Sequence, residues 1–292
     1  MRKKTFEAIR QTVFMGPAVL IYAIVIMAPF LLGLYYSMTD WNGVSEVYSW
    51  VGLGNYKEII LQDSDFLASF WFTIRISVVI TVLMNLVGFG LALLLMQKLR
   101  FRNVWRTVFF IPNVLGGLVL GFLWQFIFTK GFEAIGNATN LPLFQIAWLG
   151  AETTAFWAIV IVSVWHGLGY VLVIFIAGLS NVPQELREAA QVDGANGWVM
   201  LIRITLPLIM ASITVCLFWT INSTFKIFDL NYSLTNGGPF KTTDSAAMNI
   251  YQEAFSNNNF GMGSAKAIIF FAAVVIITSI QVYLTKRKEI EA

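Results

Sequence analysis

Six stretches of this chain are long and apolar enough to cross a lipid bilayer, and that property restricts the fold more than any other. A spanning helix needs about 20 mostly apolar residues. The stretches fall at about 13–37, 71–96, 104–128, 155–179, 201–221 and 267–284, and their few charges (Arg75, Arg106, Arg203) sit near their starts. Barrel strands would be about 10 residues long with alternating polarity, whereas these runs are continuous. The expectation is an all-α, polytopic membrane protein with six transmembrane helices in a single domain over residues 1–292.

Composition closes off other classes. Charged residues make up 12% and hydrophobic ones 58%, where a soluble domain carries about a quarter charged. Aromatics at 15% exclude a disordered chain. The net charge of +3 is dispersed, with no basic stripe for nucleic acid. The one cysteine, Cys216, lies in an apolar run and allows neither an internal disulfide nor a cysteine zinc site.

Lysine and arginine in the short loops set the expected orientation. Arg2, Lys3, Lys4 and Arg10 precede the first span, and Lys98, Arg100, Arg102 and Arg106 join the second to the third. Arg187 and Arg203 join the fourth to the fifth, and Lys286, Arg287 and Lys288 follow the sixth. All four segments fall on one side of a six-span chain, so both termini are expected in the cytoplasm. The first span follows a basic segment, as a signal peptide would. Its apolar run is too long for that, and "TDWNG" rather than a small-residue cleavage site follows, so it is read as retained. Asn, Asp and Gly clusters in the outer loops ("TDWNG", "VGLGNY", "LTNGGPF", "NNNFGMG") read as turns.

Catalytic chemistry is scarce. No G-x-x-x-x-G-K-[ST] phosphate loop and no H-E-x-x-H exist. The one histidine, His166 in "VWHGLGY", reads first as a hydrogen-bonded residue packed between helices, with a pathway ligand as the alternative, since ionisable groups inside a membrane tend to be functional. No enzyme and no metal site are expected. An ion-coupled carrier stays open, since such proteins place carboxylates or broken helices near the membrane midplane. The six spans hold no mid-span carboxylate; Lys226 and Asp229 lie just past the fifth.

One polar segment stands apart from this pattern. In "NVPQELREAAQVDGANGWVMLIRITLPLI", from Asn181 to Ile209, Pro183 suits a helix start. Glu185 and Glu188 suit early turns. Ala189 and Ala190 are strong helix formers with almost no bulk. Gly194 can end the helix in the left-handed conformation, and Asp193 can hold the turn through its side chain. The expected product is a short helix, a turn and a second helix over 181–200. An amphipathic helix lying on lipid would carry basic residues on its polar face. Here Gln184, Glu185, Glu188, Gln191 and Asp193 surround the single base Arg187, which suits a protein partner better.

This window resembles the EAA loop of ABC importer permeases, an E-A-A triplet followed by a glycine and an I-x-L-P ending. Glu188, Ala189, Ala190, Gly194, Ile204, Leu206 and Pro207 match. "PQELREAAQVDGA" is similar to the carbohydrate uptake branch, the maltose-type permeases. "YYSMTDWNG" with "VGLGNYKEI", "FFIPNVLGGLVLGFLWQFIF" and "LTNGGPFKTTDSAAMNIYQEAFSNNNFGMGSAKA" resemble further parts of that branch, so the likeness covers nearly the whole chain. The short first outer loop departs from members with a large insertion there, and with cytoplasmic ends this short no regulatory domain is expected.

The resemblance implies a type I ABC importer permease fold in a bacterial or archaeal cytoplasmic membrane. It implies a channel subunit for sugars or oligosaccharides, paired with a second, related permease. Two cytoplasmic ATPase subunits would bind ATP and Mg, leaving this chain without a cofactor. An extracytoplasmic binding protein would deliver the sugar. The coupling contact to the ATPase would use Glu185, Glu188, Ala189, Ala190, Asp193, Gly194 and Ala195. Candidates for the substrate pathway are Asn113, Trp124, Gln125, Trp165, Asn222, Lys226 and Asp229. Candidates for binding-protein contact are Thr235, Asn236, Gly237, Gly238 and Pro239.

Overall fold

The computed structural model describes residues 2–97 and 99–289. Lys98 and the side chains of Arg2, Lys3 and Lys4, which enter the orientation argument, lie outside what is described. Among the described residues there is no strand, only an isolated antiparallel bridge between Thr39 and Trp50.

The chain is helical from α1 (2–36) to α13 (Phe260–Lys286). Between them come α2 (Gly54–Leu61), α3 (Ser64–Met96), α4 (Arg102–Phe110), α5 (Gly117–Thr139), the short α6 (Pro142–Gln145) and α7 (Glu152–Ser180). Then follow α8 (Gln184–Val192), α9 (Gly197–Leu208), α10 (Met210–Phe225), α11 (Asp229–Leu234) and α12 (Ala246–Tyr251). Five of these are long and apolar enough to cross a membrane: Val13–Tyr36, Ser64–Met96, Gly117–Thr139, Glu152–Ser180 and Phe260–Lys286. A sixth span forms if α9 and α10, bent by 72° at their junction, are taken together.

Two of the expected spans are not continuous helices. The run at 104–128 is interrupted: α4 ends at Phe110, a 3₁₀ turn covers Ile111–Val114, and Leu115 and Gly116 are extended. Pro112 explains the break, since its ring and missing N–H disrupt a helix and disfavour it for the preceding residue. The spanning helix is therefore displaced to Gly117–Thr139. The run at 201–221 breaks at Ile209, two residues after Pro207, and a π turn over Leu201–Thr205 precedes it. That turn contains Arg203, whose carbonyl Pro207 would crowd in a regular helix.

The described residues divide into two compact units. The first holds the residues up to Phe66 with Ile250–Phe271. Here the turn-forming outer loops come together: Asn55 Nδ2 donates to the carbonyls of Ser37 and Thr39 at 2.9 Å. Trp41 stacks on Tyr36 with ring centroids 4.2 Å apart. Lys266, 1% exposed, lies 2.7 Å from Asp63 and 2.9 Å from Glu253 and over the ring of Phe66. Asp63 also accepts the amide of Phe66 at 2.8 Å, so it caps the start of α3. This capping and pairing extend α3 and α13 beyond their apolar windows at 71–96 and 267–284.

The second unit holds Leu67–Asn249 and the described residues from Ala272 on. Its core forms around α7, with Ile159, Val162, Leu172 and Phe175 packed among Ile76, Ile80 and Met84 of α3, Leu120 of α5 and Leu230 and Leu234 of α11. Cys216 is fully buried in that core. Without a hydrophobic drive between helices in lipid, such contacts depend on close packing.

Lys266→Met would leave Asp63 and Glu253 facing each other without a counter-charge. Breaking a buried pair costs about 3–5 kcal/mol. Thermal unfolding of the purified protein in detergent should therefore begin several degrees lower than in the parent chain.

Candidate functional site

The polar segment folds as a discrete helix. Pro183 precedes α8 as its N-cap, and Arg187 Nη2 donates to the carbonyl of Leu179 at 3.1 Å. That bond ties α8 to the last turn of α7, where carbonyls lack partners and a cation is favoured. The far end closes as a Schellman motif: the Ala195 amide donates to Ala190 O at 2.9 Å and the Gly194 amide to Gln191 O at 3.1 Å. Gly194 has φ +81°, which glycine adopts without strain. The expected side-chain cap from Asp193 is not what holds the turn. Asp193 closes the helix through its backbone amide, which donates to Ala189 O at 3.0 Å, and among the described residues its side chain makes no cap bond; Asn196 accepts the amide of Val199 at 2.9 Å and starts α9. Asparagine before a short apolar run was a readable N-cap signal.

The two alanines divide between two faces. Ala190 is buried against the chain itself, so it seats the helix rather than offering a free surface. Ala189 is exposed, together with Glu185, Leu186, Glu188 and Asp193. Glu188 Oε1 accepts Gln184 Nε2 at 2.6 Å along the helix. Val192, 88% exposed, and Trp198, 69% exposed, add apolar surface that sequence reasoning did not single out. Ala195 is half-buried.

Midway along α7 a cavity of about 270 Å³ opens in the second unit. Asn113, Lys226 and Asp229, three of the pathway candidates, line it together with His166, Ser163, Trp219 and Ser223. Gly117 and Gly121 of α5 make this possible. A Cβ on Gly117 would stand 2.8 Å from the Cβ of Asp229, and one on Gly121 would collide with Ser233. The two glycines therefore let α11 lie directly on α5 and bring Asp229 to the cavity wall. Lys226 and Asp229 are three residues apart, yet among the described residues no ion pair within 4.0 Å joins them. His166 Nε2 lies 3.1 Å from the carbonyl of Leu115, and Asn113 Nδ2 donates to His166 O at 3.4 Å. His166 is thus a packed, hydrogen-bonded histidine that also faces the cavity.

The other pathway candidates lie off this lining. Trp124 and Trp165 meet edge to face with centroids 5.4 Å apart. The carbonyl of Gln125 accepts Thr129 Oγ1, and Asn222 Nδ2 donates to Phe218 O within its own helix.

Residues Thr235 to Pro239 form a self-bonded loop. Asn231 Nδ2 donates to Thr243 O at 2.9 Å, and Thr243 Oγ1 to Gly238 O at 2.6 Å. Asn236 and Gly237 have positive φ, and the Gly238–Pro239 bond is cis. Asn236 is exposed, Gly237 is buried and Phe240, next to the expected set, is 97% exposed.

The family model for "Binding-protein-dependent transport system inner membrane component" matches residues 84–290. The chain belongs to that family. It is an ABC importer permease, and the ion-coupled carrier left open by the spans gives way to this assignment. Curated relatives agree along most of the length. The probable starch degradation products transport system permease protein AmyD of Thermoanaerobacterium thermosulfurigenes is 44% identical, over 95% of this chain and 94% of its own. The multiple sugar-binding transport system permease protein MsmF of Streptococcus mutans is 30% identical over 90% of both. The trehalose transport system permease protein SugA of Mycobacterium tuberculosis is 31% identical over 94% and 89%. Among solved structures, a bacterial alginate ABC importer superposes with a TM-score of 0.82 at 18% identity, covering 97% of this chain and 99% of that one. At that identity the match speaks for the fold.

In this permease Gly194 has no atom near its missing Cβ, so a side chain there meets only backbone strain. Gly194→Ala should cost about 1–2 kcal/mol at the α8 terminus. Hydrogen exchange should then show the Ala195 amide exchanging roughly ten-fold faster, with the spanning helices unchanged.

Proposed function

We propose that this permease forms half of the translocation channel of an ATP-driven sugar importer and acts as one functional domain throughout its length. Its relatives' names point to oligosaccharides, and the starch-product relative makes short α-glucans the first substrates to test. The second, related permease completes the channel. Two ATPase subunits bind ATP and Mg and supply the hydrolysis, so this chain needs no cofactor. A binding protein outside the cell delivers the sugar to the face that carries Thr235 to Pro239, with Phe240 as its most exposed side chain. Both termini and α8 face the cytoplasm of a bacterial or archaeal cell, in line with the basic loops.

The observation that carries this reading is the divided surface of α8. Ala190 and Arg187 anchor the helix to the permease, while Glu185, Glu188, Ala189 and Val192 stay uncovered. An ATPase cleft that takes this face can move α8, and the bond from Arg187 to the end of α7 passes that movement to the helix that lines the cavity. The sugar path runs through that cavity, where Asn113, Lys226 and Asp229 bond hydroxyls and Trp219 offers a ring face.

Proteoliposomes holding both permeases and both ATPases, supplied with binding protein and labelled maltotetraose, test the proposal. ATP should drive uptake. Glu188→Lys reverses the charge of the coupling face, and loss of a docked charge contact costs about 2 kcal/mol or more. Assembly and ATP hydrolysis should persist while uptake per ATP falls about ten-fold or further. Full uptake in that variant would remove Glu188 from the coupling contact.

A further inference from the structure

The last turns of α5, the short α6 and the loop leading to α7 enclose a second cavity of about 530 Å³. That lies within the range of ligand pockets, about 300–1,000 Å³. Its lining offers two complementary surfaces. One is aromatic: Trp148 stacks on the buried Phe128 with centroids 5.4 Å apart and planes inclined by 24°. Phe144 stands beside them on the lining. The indole Nε1 of Trp148 donates to Leu143 O at 3.0 Å, so the ring's orientation is set before any ligand arrives.

The other surface is polar. Glu133 and Asn137, four apart on α5, share a face of that helix and line the cavity with Gln145 of α6. All three are exposed. Among the described residues Glu133 pairs with Lys130 alone, at 3.4 Å in an exposed contact of little strength. The cavity has this shape because Gly136 lets the α6 loop rest on α5, where a Cβ would stand 2.8 Å from Phe144 O.

A sugar ring has an apolar C–H face and a rim of hydroxyls that both donate and accept. A pre-oriented indole suits the first. A carboxylate with two amides suits the second, since together they offer both acceptors and donors. An anionic ligand would meet Glu133 and find no cationic side chain among the lining residues. An acyl chain would strip water from the carboxylate and both amides without replacing their bonds.

We propose that this cavity is a second saccharide-binding site, separate from the one midway along the spans, with Trp148 as its stacking platform and Glu133, Asn137 and Gln145 as its hydroxyl partners. The choice of sugar as ligand rests on the importer function proposed above; the cavity's chemistry stands apart from it. The permease would then hold a saccharide at the end of α5 as well as in the mid-span cavity, raising the local concentration of substrate beside the path.

The test uses the complete transporter in lipid nanodiscs, with Ala147→Cys placed on the cavity lining and Ala138→Cys, an exposed position off the lining, as control. Maleimide labelling of each cysteine is followed by mass spectrometry with and without maltotetraose. The saccharide should slow labelling at Ala147→Cys about ten-fold and leave Ala138→Cys unchanged. Adding Trp148→Ala or Glu133→Gln should raise the half-protecting concentration about ten-fold, the loss of one contact of about 1.4 kcal/mol. Asp229→Asn, in the mid-span cavity, should not alter protection. Glu133→Gln is near-isosteric and exposed, and it carries the test if Trp148→Ala does not assemble. Equal labelling with and without maltotetraose overturns the second site. So does protection that survives both substitutions, or slow labelling without saccharide, which marks an acyl tenant. If ATP-driven maltotetraose uptake persists while Ala147→Cys stays unprotected, only the second site falls; if uptake itself is absent, the importer proposal fails.

Discussion

Inside a bilayer no water is available to backbone amides and carbonyls, so every one of them must find a partner within the protein. For most of this chain the spanning helices meet that demand by themselves. The break from Ile111 to Gly116 is different, because Pro112 stops the helix and leaves extended backbone before α5 resumes. Non-helical backbone at such a point is tolerated where protein covers it or a cavity lies beside it, and here both hold. His166 reaches Leu115 O from α7, Asn113 reaches back to His166 O, and the mid-span cavity opens against the same residues. The proline interrupts the helix and the histidine covers the exposed backbone at Leu115, and the polar recess lies between them.

The same economy of bulk recurs wherever two elements must meet closely. Gly117 and Gly121 let α11 lie on α5 and carry Asp229 to the recess. At α8 the device is a buried alanine together with an arginine bond to the end of α7. A helix held at one face by Ala190 and Arg187, and closed by a Schellman turn, is short and stiff, which suits a lever between an ATPase and a transport path. The buried Lys266 pair in the first unit shows the opposite strategy. There a charge is carried into the protein with two carboxylates around it, and the reward is a longer α3 and α13 than hydropathy alone would give.

Much of this was legible in the residues. The apolar runs gave the helical membrane class because a 20-residue oily stretch has few alternatives. The E-A-A window gave a short helix closed at a glycine, since alanines favour a helix and glycine can end one in the left-handed conformation. Asn113, inside an apolar run, and Lys226 and Asp229, just past one, stood out as polar residues near membrane depth, and all three line the mid-span cavity. Other readings failed for identifiable reasons. Hydropathy averages over a window and cannot see that one proline splits 104–128, or that Pro207 bends the fifth span. Both alanines of the triplet look alike in a string, and which of them faces the chain depends on how α8 is rotated. The turn given to the Asp193 side chain is held instead by the backbone bonds of Gly194 and Ala195, and Asn196 caps the helix that follows.

What the sequence determined by itself was the solvent: its apolar runs commit the chain to lipid, and its one polar window forms a short helix outside them. Tertiary structure alone decided where polar groups meet. Trp148, Glu133 and Gln145 are scattered over the end of one helix, a second helix and a loop, and they share a cavity only because Gly136 lets those elements touch. Local pattern encodes what a residue's neighbours in sequence impose on it. It does not encode which distant backbone will approach within van der Waals distance, and the recesses of this permease are made by such approaches.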